Sequence, residues 1–183
     1  MLPKVIGLVG PIRAGKTTAA RIISKCYGYS IASNSEILLA ILSHMGIEAT
    51  RPNLTKLGDS LFKVLGNEII GRFRLANLAD GPIIIDGIRY REEVELYSSE
   101  PSFKLIGISA DENSRFARAA VAASLKDTGL DRYIFSNLSK ARSEMQVPSL
   151  LEKCDAIIEN TGSIEAYETR VHEVFKQWSN IKD

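Results

Sequence analysis

The sequence contains few of the residues that build metal centres or disulfide frameworks. It has two cysteines, Cys26 and Cys154, and two histidines, His44 and His172, in 183 residues. The cysteines lie far apart, which gives neither the C-x-x-C spacing of a metal site nor the pattern of a disulfide framework. Such sparse cysteine usage is typical of a reduced protein, and we therefore expect a cytoplasmic location.

The chain also lacks an excess of either charge and a long apolar run. Lysine and arginine total 23 against 22 for aspartate and glutamate, so the net charge is +1. A nucleic-acid-binding face or a polybasic membrane anchor requires an excess of positive charge. No run approaches the roughly 18 apolar residues that span a membrane. We therefore expect a soluble monomer or homodimer whose partners are small molecules, with no nucleic acid and no membrane.

One motif is complete. Residues 10–17 read G-P-I-R-A-G-K-T, which matches the G-x-x-x-x-G-K-[ST] phosphate-binding loop (P-loop). A short β-branched run at 4–9 precedes the loop, and an amphipathic helix with Ile22 and Ile23 on its apolar side follows it. A chance match in a glycine-bearing turn is the alternative, but strand, loop and helix occur in the order that phosphate binding at a helix N-terminus requires. The sequence therefore predicts a nucleotide-binding protein.

Each residue type in the loop has a chemical task. Gly10 and Gly15 have no Cβ, so the backbone can wrap around phosphate oxygens and point its N–H groups inward. Lys16 is expected to reach the β- and γ-phosphates, and the Thr17 hydroxyl to help hold Mg²⁺. Asn160, after the last predicted strand, is either a base contact or part of an ordinary turn. The predicted ATP-binding residues are Gly10, Arg13, Ala14, Gly15, Lys16, Thr17, Thr18 and Asn160.

The pattern along the chain predicts an α/β fold. Apolar runs at 4–9, 29–32, 83–86, 104–109 and 154–159 predict five strands that alternate with helices, which is typical of a parallel sheet covered on both faces. The predicted architecture is a P-loop NTPase three-layer α/β/α sandwich with a five-stranded parallel sheet. We expect a single domain, 1–183, with its core at 1–32, 81–110 and 150–183. A helical insert at 33–80, a lid region at about 115–142 with a flap at 124–131, and one continuous helix over 131–145 complete the prediction.

A carboxylate and an arginine follow the third predicted strand. Asp86 ends the all-isoleucine run, where the second P-loop carboxylate acts on Mg²⁺ directly or through water, although an aspartate there could also merely start a turn. The predicted metal ligands are therefore Thr17 and Asp86. Arg89 follows on the side where an acceptor phosphate would lie, and it is the leading acceptor-binding residue.

Phosphoryl transfer depends on charge neutralisation, so the other arginines are also candidates. Arg115 and Arg118 lie one helical turn apart and share a face, with Arg132 and Arg142 further along; solvated surface positions are the alternative for each. The predicted catalytic residues are Lys16, Arg89, Arg115, Arg118 and Arg142. The predicted acceptor-binding residues are Ser33, Ser35, Arg51 and Arg89.

With these residues in place, the whole chain resembles the nucleoside monophosphate kinase-like P-loop proteins. The resemblance is to their archaeal-type adenylate kinase-related group, which borders on dephospho-CoA kinases and deoxynucleoside monophosphate kinases. Beyond the loop it rests on G-I-E-A-T-R-P-N-L at 46–54, L-G-D at 57–59, I-D-G-I-R at 85–89 with E-E-V-E at 92–95, and F-K-L-I at 103–106 with Arg115 and Phe116. It implies ATP and Mg²⁺ as the donor and a lid that closes during transfer. The L-G-D segment and Arg13 also look like deoxynucleotide kinases.

Two classes of function follow from the sequence. The first is an ATP-dependent phosphotransferase that acts on a small phosphorylated acceptor, a (deoxy)nucleoside monophosphate with dephospho-CoA as the nearest alternative. The second is a non-catalytic nucleotide-binding regulatory protein, favoured by a lid segment at 119–126 with one cation where the family usually has several. The absence of an N-K-x-D tetrad disfavours a GTPase, and the absence of a carboxylate at 33–35 disfavours a shikimate-type kinase.

Overall fold

The computed structural model describes residues 1–78, 80–124 and 131–180, with the side chains of Arg51 and of residues 122–124 outside the description. The predicted flap at 124–131, apart from Asp131, and most of the arginine-poor segment at 119–126 lie outside the described side chains. In chain order the elements are β1 (Val5–Val9), α1 (Lys16–Tyr27), β2 (Ser30–Ser33), α2 (Asn34–His44), α3 (Arg51–Leu65), α4 (Ile69–Ala76), β3 (Ile83–Asp86), α5 (Arg91–Tyr97), β4 (Phe103–Ser109), α6 (Glu112–Ser124), α7 (Arg132–Ser139), α8 (Val147–Leu151), β5 (Ala156–Glu159) and α9 (Ile164–Asn180). None of the described helices has the length and apolar character to cross a membrane.

The five strands form one parallel sheet in the order β2-β3-β1-β4-β5. Asp86, the last residue of β3, is in register with Leu8 of β1 and with Ser33 of β2. The phosphate loop leaves β1 beside that carboxylate, so the loop, Asp86 and Ser33 share the carboxyl edge of the sheet. Ligands of open parallel sheets bind at this edge, where the strand order reverses.

Helices cover both faces of the sheet, which confirms the predicted three-layer architecture. Alternate residues of β1 point to opposite faces: Ile6 and Leu8 pack under α1 and α9, whereas Val5 and Val9 pack on the side of α5 and α8. Continuous apolar strands are expected when both faces of a parallel sheet are buried. The rigid sheet therefore holds the loop between two packed layers.

Strand bounds agree with the sequence prediction to within two residues, but the helix predicted over 131–145 is wrong. The chain forms α7, one 3-10 turn at Arg142–Glu144, and then α8. Ala141 is extended, with φ −57° and ψ 151°, and Pro148 lies in the first turn of α8, where proline favours a new helix start. The break turns Glu144 inward toward the phosphate loop.

Ile84 in β3 and Ile157 in β5 give a matched test of this core. Ile84 is fully buried between the two helical layers, whereas Ile157 on the edge strand is 56% exposed. We expect Ile84→Ala to lower the free energy of unfolding by about 2–5 kcal/mol, because it removes buried methyl groups and leaves a cavity. Ile157→Ala should cost much less. Urea unfolding of both variants measures the difference, and equal losses would contradict the layered core.

Candidate active site

The phosphate loop has backbone geometry that depends on its glycines. Gly15 caps α1 with φ 111°, a left-handed conformation that residues with a Cβ rarely adopt. A Cβ at Gly15 would also collide with the side-chain amide of Asn160, and one at Gly10 would collide with the carbonyl oxygen of Ile108. The motif glycines therefore let the loop lie against β4 and the end of β5.

The carbonyl oxygens of residues 10–15 each accept a hydrogen bond from a side chain. Lys16 Nζ donates to the carbonyls of Gly10 and Pro11, at 2.7 and 3.0 Å. The donors to the other four are Arg115 to Ile12 (3.3 Å), Arg118 to Arg13 and Ala14 (3.4 Å each), Asn160 Nδ2 to Ala14 (2.7 Å) and the Tyr167 hydroxyl to Gly15 (3.2 Å). The loop is thus braced by α1, α6, α9 and the residue after β5.

Asn160 packs against the buried side of the phosphate loop. Its side chain is buried, its amide nitrogen donates to Ala14, and its own carbonyl accepts from Arg118 Nη2 at 2.8 Å. Asn160 was predicted to contact the base, but in the structure its side chain binds the backbone of the phosphate loop. Tyr167, which sequence reasoning missed, has the same role; its position on the apolar face of α9 gave no signal of a hydroxyl contact 152 residues away.

Lys16 is buried at the mouth of the loop. Burial first, and then the nearby Arg89 guanidinium, lower the pKa of Lys16 to about 7, against the opposing effects of Glu144 and Asp86. An anion at this position would stabilise the ammonium form and raise that pKa. Lys16 is therefore placed to respond to a phosphate.

Thr17 and Asp86 meet at the carboxyl edge of the sheet. The Thr17 hydroxyl donates to Asp86 Oδ2 at 2.8 Å, and Asp86 is buried. A hydroxyl beside a carboxylate offers the oxygen ligands that Mg²⁺ prefers, and water usually fills several of the remaining positions around this ion. The two predicted metal ligands are thus brought together, and their chemistry fits the ion.

Arg89 and the phosphate loop share one carboxylate. Glu144 accepts from the Arg89 guanidinium through Oε1 and from the backbone N–H of Ile12 through Oε2, the latter at 2.8 Å. Glu144 is buried, so this bridge is shielded from water. No sequence pattern indicated this bridge, because Glu144 belongs to no motif and lies in a segment predicted as continuous helix. The bridge fixes Arg89 relative to the loop.

A second buried carboxylate, Glu93, holds the backbone at Arg89. Its Oε2 accepts from the N–H groups of Arg89 (2.9 Å) and Tyr90 (3.2 Å), and its Oε1 accepts from Asn34 Nδ2 (2.6 Å). Burial raises the pKa of Glu93 to about 7, although these hydrogen bonds act in the opposite direction. Glu93 is the third residue of α5, and through these contacts it ties the segment after β3 to the start of α2.

The predicted arginines fall into two groups. Arg115 and Arg118 contact the loop, and Arg115 also lies 5.6 Å from the ring centroid of Phe135. Arg142 lies on the side of the helical insert, where it donates to Asn67 at 2.8 Å and its guanidinium carbon is 5.5 Å from the ring centroid of Tyr90. Of these three arginines, Arg115 and Arg118 contact the phosphate loop, whereas the described contacts of Arg142 are with the helical insert and Tyr90.

The structure describes the side chains of only some of the predicted acceptor-binding residues. Ser33 and Ser35 lie at the start of α2 with their hydroxyl oxygens 2.8 Å apart. Arg51 begins α3, but its side chain lies outside the described residues. Arg132, the remaining candidate arginine, donates to Asn113 at 3.1 Å, and its guanidinium carbon is 4.8 Å from the ring centroid of Phe116.

One cleft of about 1400 Å³ joins these groups. Its donor side is lined by Arg13, Gly15, Lys16, Thr17, Thr18 and Arg118; its far side is lined by Ser33, Ser35, Leu38, Thr50, Leu54, Asp59, Phe62 and Tyr90; and Asp86 and Arg89 lie between. A continuous space of this size has room for two small ligands, because single-ligand pockets measure about 300–1,000 Å³.

A phosphate loop and strand-end carboxylate at the edge of a five-stranded parallel sheet define a P-loop protein of the kinase-like fold. The chain belongs to the AAA domain family, whose model matches residues 9–118. No curated protein sequence matches it.

Solved structures resemble the chain over nearly its whole length. TT1252 from Thermus thermophilus is 18% identical, with a TM-score of 0.65 and coverage of 97% of this chain and 98% of the other. Shikimate kinase from Acinetobacter baumannii in complex with shikimate is 15% identical (TM-score 0.63; 100% and 97% covered), and a gluconokinase from Sinorhizobium meliloti 1021 is 14% identical (TM-score 0.59; 97% of each). At these identities the likeness shows the fold alone.

The buried Glu93 gives a pH-dependent prediction. Between about pH 4.5 and 7 the folded protein keeps a proton on Glu93 that the unfolded chain has lost, so stability from this group falls as pH rises and the loss is complete above about pH 7. Glutamine cannot ionise, and a 180° turn of the Asn34 amide would bring Asn34 Oδ1, a buried acceptor with no partner among the described residues, to the glutamine NH2 group. We therefore expect Glu93→Gln to gain stability relative to the wild type as pH rises from 5 to 8.

Urea unfolding at each pH measures this difference. Glu95→Gln on the same helix is the control, because Glu95 is exposed and pairs only with the exposed Arg91 among the described contacts. A stability difference between Glu93→Gln and wild type that stays constant across the range would contradict the prediction.

Proposed function

We propose that the protein is an ATP-dependent phosphotransferase that moves the γ-phosphate to a small phosphorylated acceptor, a nucleoside or deoxynucleoside monophosphate. The observation that carries this proposal is the single cleft in which the phosphate loop faces Arg89 and a partly apolar far side. Donor and acceptor phosphates must lie close and in line for transfer, and catalysis depends mainly on positioning and charge.

The donor side has the chemistry for a nucleoside triphosphate with Mg²⁺. The loop's N–H groups and Lys16 supply the positive potential, and Thr17 with Asp86 would hold the metal ion, which would neutralise part of the phosphate charge. Arg118 lines the cleft beside the loop, and its Nη1 lies 3.4 Å from two loop carbonyls, a long contact that leaves hydrogen-bonding capacity. These residues bind and orient the donor.

The far side of the cleft suits a planar base. Phe62 is partly exposed and lines this part of the cleft, where the buried Tyr90 holds its ring edge-to-face with centroids 5.0 Å apart; Leu38 and Leu54 also line the cleft. Base stacking on aromatic side chains contributes about 1–3 kcal/mol per base and tolerates different bases. A small hydroxy acid or sugar would leave these apolar groups without contacts, which favours a nucleoside acceptor.

Arg89 lies at the junction of the two halves. Its side chain is 24% exposed toward the cleft while the buried Glu144 holds one edge of the guanidinium. An arginine held in this way keeps free N–H donors in a fixed orientation, which suits bidentate recognition of a phosphate. We infer that Arg89 binds the acceptor phosphate and aligns it with the donor.

Lys16→Ala tests the donor site. We expect kcat to fall at least about 100-fold, because a cation that stabilises the transferring charge is lost. Lys25→Ala, at the exposed end of the same helix, should leave turnover unchanged. ADP release from ATP–Mg²⁺ measures turnover, and urea unfolding checks that both variants fold. Full activity in Lys16→Ala would show that the loop is not the donor site.

Arg89→Ala tests the acceptor site. Loss of a charge-assisted contact should lower kcat/KM for the acceptor by about 10- to 100-fold and leave the affinity for ATP unchanged. Arg72→Ala is the matched control, since Arg72 is exposed, pairs with Glu68 and is not among the residues that line the cleft. The acceptor panel should contain nucleoside and deoxynucleoside monophosphates, dephospho-CoA, shikimate and gluconate.

The outcomes separate the alternatives. Turnover of dephospho-CoA alone would show that the acceptor is a larger nucleotide than a nucleoside monophosphate. Turnover of shikimate or gluconate would show that the acceptor need not carry a phosphate. Tight ATP binding without ADP release for any acceptor would support the regulatory alternative.

A further inference from the structure

Three potential metal ligands lie together between the C-terminal end of α1 and the middle of α9. The phosphate loop is at the opposite, N-terminal end of α1. The three ligands are the thiol of Cys26, a carboxylate oxygen of Glu168 and an imidazole nitrogen of His172, and all three atoms lie within 4.8 Å of one another. Cys26 is nine residues beyond Thr17, which at 1.5 Å per residue is about 14 Å along α1. None of the three residues lines the cleft.

The two ligands on α9 are spaced to act together. Glu168 and His172 are four residues apart and therefore lie on the same face of a 17-residue helix, with Glu168 Oε1 and His172 Nε2 3.9 Å apart. Both side chains are partly exposed, at 45% and 42%, so an ion can reach them from solvent and small rotations can shorten the distances.

The imidazole is already oriented. The Tyr27 hydroxyl lies 2.7 Å from His172 Nδ1, which leaves Nε2 to face Glu168. Tyr27 in turn stacks on Phe175, with centroids 4.1 Å apart, and Phe175 is fully buried in the core. For Nε2 to bind a metal, Nδ1 must carry the ring proton and donate it to the Tyr27 oxygen. Metal-binding histidines usually donate their second N–H in this way, which fixes the ring and the tautomer.

We propose that Cys26, Glu168 and His172 bind a zinc ion. The ligands would be the Cys26 thiolate, its proton released to solvent, His172 Nε2 and one Glu168 oxygen, with water in the fourth position. Thiolate and imidazole favour Zn²⁺ over Mg²⁺, so this site and the Thr17–Asp86 site select different ions. Bound zinc would clamp α1 to α9, the two helices that contribute Lys16 and Tyr167 to the phosphate loop.

The test uses Co²⁺ as a spectroscopic probe on the full chain, with nucleotide and Mg²⁺ absent. Four-coordinate Co²⁺ with a thiolate ligand gives an intense charge-transfer band and visible d–d bands. We expect one equivalent to give both, and one equivalent of Zn²⁺ to remove them. Zn²⁺ should also raise Tm, because it binds the folded chain.

The chain supplies matched controls for each ligand. Cys26→Ser should abolish the charge-transfer band, and His172→Gln and Glu168→Gln should weaken Co²⁺ binding at least 10-fold. Cys154→Ser and His44→Gln should retain the wild-type spectrum, because Cys154 donates to the Leu150 carbonyl and His44 lies at the exposed end of α2.

The outcomes are separable from those of the nucleotide experiments. Absence of the charge-transfer band in the wild type, or its loss in Cys154→Ser but not in Cys26→Ser, would overturn the zinc site. Lys16→Ala should bind Co²⁺ as the wild type does, so the metal result stands whether or not the protein transfers phosphate. Circular dichroism melts without metal check that the Cys26, Glu168 and His172 variants fold.

Discussion

A phosphate loop turns its N–H groups toward the ligand, and its carbonyl oxygens therefore point back into the protein. Each of these oxygens needs a donor, because an unpaired buried carbonyl costs about as much as a lost hydrogen bond. In this chain the carbonyls of residues 10–15 are matched by Lys16, Arg115, Arg118, Asn160 and Tyr167. Much of the surrounding structure is organised by that requirement.

The same requirement gives the arginines of α6 two possible tasks. Arg115 and Arg118 lie beside the loop, as expected for a kinase. The hydrogen bonds described for their side chains, however, go to the backbone oxygens of Ile12, Arg13, Ala14 and Asn160. Holding the loop and stabilising a transferring phosphate are compatible, since a guanidinium has five donors. Arg89 differs, because its recorded side-chain partner is a carboxylate, Glu144, that it shares with the loop.

Local patterns were enough to predict the sheet and the contact between Thr17 and Asp86. Apolar runs located the five strands, and the motif with the strand-end Asp86 located the Thr17–Asp86 contact, because both follow from short-range sequence rules. Glu144, Tyr167 and the position of Asn160 could not be predicted in this way. Their partners lie 132 to 152 residues away, and no local pattern encodes such a contact. The prediction of one helix over 131–145 was wrong for the same reason. The helix breaks where Glu144 turns toward the loop, and that contact is with a residue far away in the sequence.

The hydrogen bonds that hold the loop also determine when, during folding, the protein can first bind a nucleotide. The motif is near the N-terminus, and its donors Asn160 and Tyr167 are near the other end of the chain. Synthesis runs from the N-terminus, and contacts of large sequence separation form late because their loop-closure entropy must be overcome first. A nascent chain that already contains the whole motif therefore still lacks the groups that hold it in shape. Nucleotide binding should arise late in folding, once β5 and α9 have docked, which makes it a reporter of the completed fold.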